Sequence, residues 1–152
     1  MTGDRLRPVK NFGIAGLGGM LILLLVTSAG AVECPQPRST SSAPADVLNL
    51  KNPLADNGDA VKAGEKLYRT KAKPIACQFC HGSQGDGNGD PSFKSKPPAR
   101  IFTCAPTMSG LSDGQLFWII QNGSPNTSMP AFKALKDQEV WQLISYIRGF
   151  AK

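Results

Sequence analysis

Cys77-Gln78-Phe79-Cys80-His81 decides the reading of this chain, because C-x-x-C-H is the attachment signature of a covalently bound c-type haem. Two thiols at this spacing can each form a thioether to one edge of the group, while the next residue's imidazole reaches iron from below. One short helical turn does all three jobs. Two other chemistries use part of the pattern. C-x-x-C is half of many tetrahedral zinc sites, but only Cys34 and Cys104 remain to supply the other half, and they form no second knuckle. A redox dithiol needs a strand followed by the cysteines at a helix N-terminus inside a βαβ pattern. The preceding Lys71-Ala72-Lys73-Pro74 is no such strand.

An iron that shuttles electrons in this setting needs a second axial partner. His81 is the only histidine of the 152 residues, which excludes a bis-histidine site within one chain. Of the four methionines, Met1 and Met20 lie in the N-terminal segment, leaving Met108 and Met129. Met129 is the better choice. It falls in Asn122-Gly123-Ser124-Pro125-Asn126-Thr127-Ser128-Met129-Pro130, where turn residues can present a thioether without helical constraint. A methionine that merely fills core space is the ordinary alternative, and Met108 is the fallback ligand.

Arg5, Arg7 and Lys10 precede an uncharged run from Asn11 to Val32 that contains Met20-Leu21-Ile22-Leu23-Leu24-Leu25-Val26 and ends near Ala29-Gly30-Ala31. A basic start, an apolar centre and small residues at an A-x-A position read as a secretory signal over residues 1–31. The run is also long enough to compete as a membrane anchor. Lipidation of Cys34 is the weakest option, because Glu33 stands where bacterial lipoprotein signals prefer a small residue. All three choices export the domain, so a periplasmic location is expected, soluble or anchored to the cytoplasmic membrane. The net charge is +6; removing the three basic residues and Asp4 of residues 1–31 leaves +4. That is too mild for nucleic-acid binding, which calls for a dense basic stripe. Lys62, Lys66, Arg69, Lys71 and Lys73 before the motif and Lys94, Lys96 and Arg100 after it would suit steering towards an acidic redox partner. Ordinary solvated faces explain them as well.

Residues 32–56 are rich in Pro, Ser and Ala and read as a linker, with the folded domain expected over residues 57–152. A helix is expected from Asp59 to Thr70, with Val61, Gly64, Leu67 and Tyr68 on one face. Gly64 costs helix propensity, which a closely packed second helix would explain. From Gly82 to Ala99 the composition is that of a long loop around a cofactor. Asp86-Gly87-Asn88-Gly89-Asp90 superficially resembles a calcium loop, but Pro91 and Pro97 stand where its glycine and glutamate belong. Ser112 and Gln115 form a capping-box start for a helix ending near Gly123. A last helix from Asp137 to Phe150 carries Val140, Leu143, Ile144 and Ile147 as its stripe, flanked by Trp141 and Tyr146. Few strand signals occur, so the fold class is all-α, several short helices wrapped around one prosthetic group.

These features together resemble the mono-haem class I cytochrome c family over about residues 57–152. The resemblance rests on Cys77, Cys80, His81-Gly82, Gly85-Asp86-Gly87, Met129-Pro130-Ala131-Phe132 and the closing aromatic helix. It is similar in particular to the bacterial exported branch whose third helix reads like Ser112-Asp113-Gly114-Gln115-Leu116-Phe117. It implies a cytochrome c fold with one covalent haem c, His81 and Met129 on the iron, and first and last helices crossing at Gly64 and Tyr68 against Leu143, Tyr146 and Ile147. It also implies that the second imidazole nitrogen donates to a proline carbonyl. Pro91 is the closest match, with Pro97 and Pro98 as alternatives. The chain departs from the usual pattern in Cys34 and Cys104, which leaves open a disulfide, a lipidated Cys34 or two unpaired thiols.

The expected function is one-electron transport between redox partner proteins, without catalysis, the haem walled by candidates Phe79, Phe93, Ile101, Phe102, Leu116, Trp118, Ile119 and Phe132. A tethered subunit of an oxidoreductase complex is the second reading. A gas sensor or peroxidase-like enzyme is the third, and no second histidine or arginine-rich distal motif supports it.

Overall fold

Asn57 opens the first long helix: its side-chain oxygen accepts from the Ala60 N–H at 2.9 Å, which satisfies one of the amides that every helix start leaves unpaired. The computed structural model describes Met1, residues 33–37 and residues 40–151. The chain divides into two units, Met1–Gly30 and Ala31–Lys152, and the elements belong to the second. In chain order they are α1 (Ala45–Leu48), α2 (Gly58–Lys66), a π-helical turn (Leu67–Lys71), α3 (Gln78–His81), α4 (Ala105–Ser109), α5 (Asp113–Asn122), α6 (Asp137–Arg148) and a closing 3-10 turn (Gly149–Ala151). No strand occurs among the described residues, so the all-α expectation holds. The signal or anchor expected over residues 1–31 lies, Met1 apart, outside the described residues.

The core is made by α6 against α2 and α5. Val140, Leu143, Ile144 and Ile147 are buried along one stripe of α6, as their spacing predicts. Trp141, expected beside the stripe, is itself buried and stacks on Phe117 of α5 at 4.3 Å between ring centroids. Where α2 meets α6, a Cβ on Gly64 would lie 2.0 Å from the Gln142 carbonyl oxygen. No other residue type fits there, which accounts for a glycine inside a helix. Tyr68, fully buried, packs its ring against Tyr146 and Phe150, each at 5.3 Å.

One expectation is corrected. The segment after residue 32, read as a linker, is laced to the domain wherever it is described. Cys34 is disulfide-bonded to Cys104 with a Cα–Cα distance of 5.7 Å. The Ala43 N–H donates to Gln115 Oε1 at 2.8 Å, and Gln115 Nε2 donates to Ser41 O at 3.0 Å. Asn52 is buried, its Nδ2 donating to Trp141 O and Ser145 Oγ at 3.0 and 2.9 Å. This strap is held by hydrogen bonds and one disulfide, with Val47 and Leu54 as scattered apolar contacts to the core, so periodicity could not reveal it. The same contacts halve the expected capping box: Ser112 Oγ accepts from the Gln115 N–H at 3.0 Å, but the Gln115 side chain is engaged by the strap. Helix α4, Ala-Pro-Thr-Met-Ser with Pro106 in its first turn, has no counterpart among the expected helices. It is one turn long and tied down from outside: Arg148 donates to Met108 O and Leu111 O and pairs with Asp113 Oδ1 at 2.7 Å.

Candidate functional site

The short helix α3 delivers Cys77, Cys80 and His81 to one cleft, which encloses about 1030 Å³ of space counted out to its open mouth. The helix stops at Gly82, whose φ of +79° and whose missing Cβ both matter. A Cβ there would lie 2.2 Å from Asp86 Oδ1. The chain then folds back on α3: the Gly87 N–H donates to His81 O at 2.9 Å, and the Phe102 N–H to Gly85 O at 2.6 Å. This return brings Arg100 and Phe102 against the imidazole.

The His81 ring is buried and stacks on Phe102 at 4.4 Å between centroids. Its Nδ1 lies 2.9 Å from the Arg100 carbonyl oxygen. A carbonyl accepts only, so Nδ1 carries the proton that it shares with Arg100 O. Pro91, expected to supply this carbonyl, does not: it sits in an exposed turn where the Phe93 N–H donates to Asp90 O at 3.0 Å. The loop spends Pro91 on that turn, and the Arg100 carbonyl lies against the ring.

Cys77 and Cys80 are free thiols rather than a disulfide. Burial pushes the Cys77 thiol up to about 12 and moves Cys80 in the same direction. Cys77 is therefore protonated at neutral pH, unlike the low-pKa attacking thiol of dithiol oxidoreductases. Met129 lines the same cleft. Its loop is pinned by the Met129 N–H to Thr127 Oγ1 at 3.1 Å, the Ser124 N–H to Met129 O at 3.2 Å and the Phe132 N–H to Ile120 O at 3.0 Å. Met108, the fallback, is only 1% exposed in the core cluster and does not line the cleft.

Of the eight expected wall residues, Phe102, Leu116, Ile119 and Phe132 line the cleft. Phe79 and Phe93 pack on each other instead, at 5.6 Å. Ile101 and Trp118 also lie outside the lining, which Ile75, Pro97 and Ile120 help to make. Thr40 of the strap joins it at one edge. Among the described residues that line the cleft, Arg100 is the only Lys, Arg, Asp or Glu, and burial lowers its guanidinium from the usual range. Sequence reading counted Arg100 among the surface cations; its place between Ala99 and the apolar Ile101-Phe102 was the available hint that it turns inward. Two thiols, an imidazole, a thioether, apolar walls and a cation suit a large apolar ring system with an iron centre and carboxylate substituents.

Comparison with known proteins points the same way. The family model described as cytochrome c oxidase, cbb3-type, subunit III matches residues 59–147. No curated protein matches the chain. Among solved structures, a chain of the Kuenenia stuttgartiensis reducing HAO-like protein complex Kustc0457/Kustc0458 is similar with a TM-score of 0.54 and 26% identity, over 68% of this chain and 50% of that one. This chain thus matches about half the length of that relative. Cytochrome CL from Methylophaga aminisulfidivorans MPT is similar at a TM-score of 0.47 and 22% identity, over 74% of this chain and 72% of that one.

Proposed function

Since the chain belongs to the family described as cytochrome c oxidase, cbb3-type, subunit III, we propose that it carries single electrons on one covalently bound haem c and is a carrier rather than an enzyme. The observation that carries this reading is the convergence on one apolar cleft of two free thiols, an imidazole already tied at Nδ1 and a thioether. In this reading Cys77 and Cys80 would hold the group covalently, His81 and Met129 would supply ligands to its iron, and Arg100 would complement its carboxylates. When bound, the haem supplies the reversible one-electron couple that the side chains lack.

The chain's own residues set the conditions for that couple. The Arg100 carbonyl holds His81 in one tautomer and one ring orientation and raises its basicity. Met129 contributes a soft sulfur, which favours the reduced state, and the apolar side chains of Leu116, Ile119 and Phe132 exclude water and push the same way. The pinned 124–132 loop keeps the thioether in place, so little has to move at each transfer. An anaerobic redox titration of haem-loaded protein tests this: one single-electron transition is expected, and Met129→Leu should lower its midpoint by on the order of 0.1 V or more. A midpoint unmoved by Met129→Leu would remove Met129 from the site.

The partner is a redox protein with an acidic face. Lys73, Lys94 and Lys96 are exposed and lie within two residues of the cleft-lining Ile75, Ser95 and Pro97, while Lys62 and Arg69 pair with Asp59 and Glu65 within α2. The bimolecular electron-exchange rate with such a partner should fall steeply as salt is raised from low to physiological ionic strength; a salt-independent rate would contradict it. The family's description also favours a compatible second reading, a cytochrome subunit of an oxidoreductase complex. Residues 1–31 would then act as an anchor instead of a cleaved signal, either one exporting the domain. Among the described residues no helix is long and apolar enough to cross a membrane. Recovery of the full chain in washed membranes, with residues 1–31 intact by mass spectrometry, would separate the anchor from the signal.

A further inference from the structure

The run from Ala99 to Phe102 alternates its hydrogen bonds from side to side as a strand does. On the inner side, Arg100 O accepts from His81 Nδ1 at 2.9 Å and the Phe102 N–H donates to Gly85 O at 2.6 Å. On the outer side, where a second strand would stand, one side chain takes both groups. Gln36 Nε2 donates to Ala99 O, and the Ile101 N–H donates to Gln36 Oε1, each at 2.9 Å. Ala99 and Ile101 are 8% and 5% exposed, so neither backbone group has ready access to water as a substitute partner. The carboxamide is delivered by the strap, two residues after Cys34 and its bond to Cys104.

We propose that Gln36 is a positioning residue for the axial imidazole: its carboxamide clamps the peptide units on both sides of Arg100 and thereby fixes the carbonyl that orients His81. The geometry supports this over a general anchoring of the strap. A planar amide that bonds residues one before and one after a given position restrains the orientation of the carbonyl between them. Strap contacts at Ala43, Leu50 and Asn52 fall on α5 and α6 and leave that carbonyl untouched. The proposal rests on His81 being an axial ligand, and the test separates the two.

The chain has a single histidine, so histidine-specific 15N labelling of the full, haem-loaded protein reports on His81 alone. The reading is the solvent-exchange rate of its Nδ1–H in the reduced state. In wild-type protein this proton should exchange slowly and the ring should show the shifts of an iron-bound imidazole. Gln36→Ala should speed the exchange about tenfold with those shifts retained. Gln36→Glu, which keeps an acceptor for Ile101 but has no donor for Ala99, should speed it less, and it decides the matter if Gln36→Ala fails to fold. Asn52→Ala, which loosens the strap elsewhere, should speed it less than Gln36→Ala. Unchanged exchange in both Gln36 variants, or an equal effect from Asn52→Ala, would overturn the proposal while leaving the electron-carrier reading intact. Shifts of an unligated imidazole in wild-type protein would overturn that reading and this proposal with it.

Discussion

Tyr68 is fully buried, and its hydroxyl donates to the Gly82 carbonyl at 2.7 Å, one residue beyond the histidine of the motif. Burial, with Cys77 and Tyr146 adding to it, raises its ionisation well above the usual tyrosine range. A folded-state value above the unfolded value of about 10 means that the native chain holds this proton more tightly than the unfolded chain. The stability so contributed is fully present below about pH 10 and is lost as pH rises beyond it. Tyr68→Phe should therefore cost about 1–2 kcal/mol near neutral pH, because Gly82 O loses its partner, and should flatten the alkaline decline; denaturant titrations at a series of pH values check both. At this scale the side chains were largely legible. Cys77, Cys80, His81 and Met129 announce themselves by spacing and by the turn residues around them, and the structure brings all four to one cleft. The acceptor for His81 was not legible, because a backbone carbonyl has no side-chain signature: Arg100 O does what Pro91 was expected to do.

The helices that could be read are those with an apolar stripe and a start signal. The bounds of α2 with its π-helical turn, of α5 and of α6 fall close to the expected Asp59 to Thr70, Ser112 to Gly123 and Asp137 to Phe150, and Gly64 marks where two of them cross. The strap and α4 were opaque for a shared reason. Each is stabilised by bonds to distant residues, Gln115, Trp141 and Ser145 for the strap and Arg148 for α4, and local composition does not report such partners. The Cys34–Cys104 disulfide closes a separation of 70 residues. A loop of that length constrains the unfolded chain strongly, so the Cys34→Ser/Cys104→Ser double variant should lose about 2–4 kcal/mol of stability. Chemical denaturation of the oxidised wild type against the double variant measures it, and equal midpoints would show that the strap holds without the disulfide.

At the scale of the whole molecule, a mildly basic chain folds its helices around a cleft whose described lining carries one cation, Arg100, and no carboxylate. Exposed lysines lie beside that cleft in sequence. A domain this small has limited core to stabilise it, and a covalent group in the cleft would extend the core through the residues that line it. The central claim is that this group is a haem held by Cys77 and Cys80, with His81 and Met129 on its iron. The most direct measurement is the pair of ferric and ferrous absorption spectra of the full chain matured in a haem-attaching periplasm, with carbon monoxide added to the reduced form. The account predicts the weak red charge-transfer band of methionine-ligated ferric haem, its loss in Met129→Leu, and no carbon monoxide binding by the wild type. A covalent haem lacking that band and binding carbon monoxide readily would contradict the carrier reading, and protein with no covalent haem would contradict the whole account.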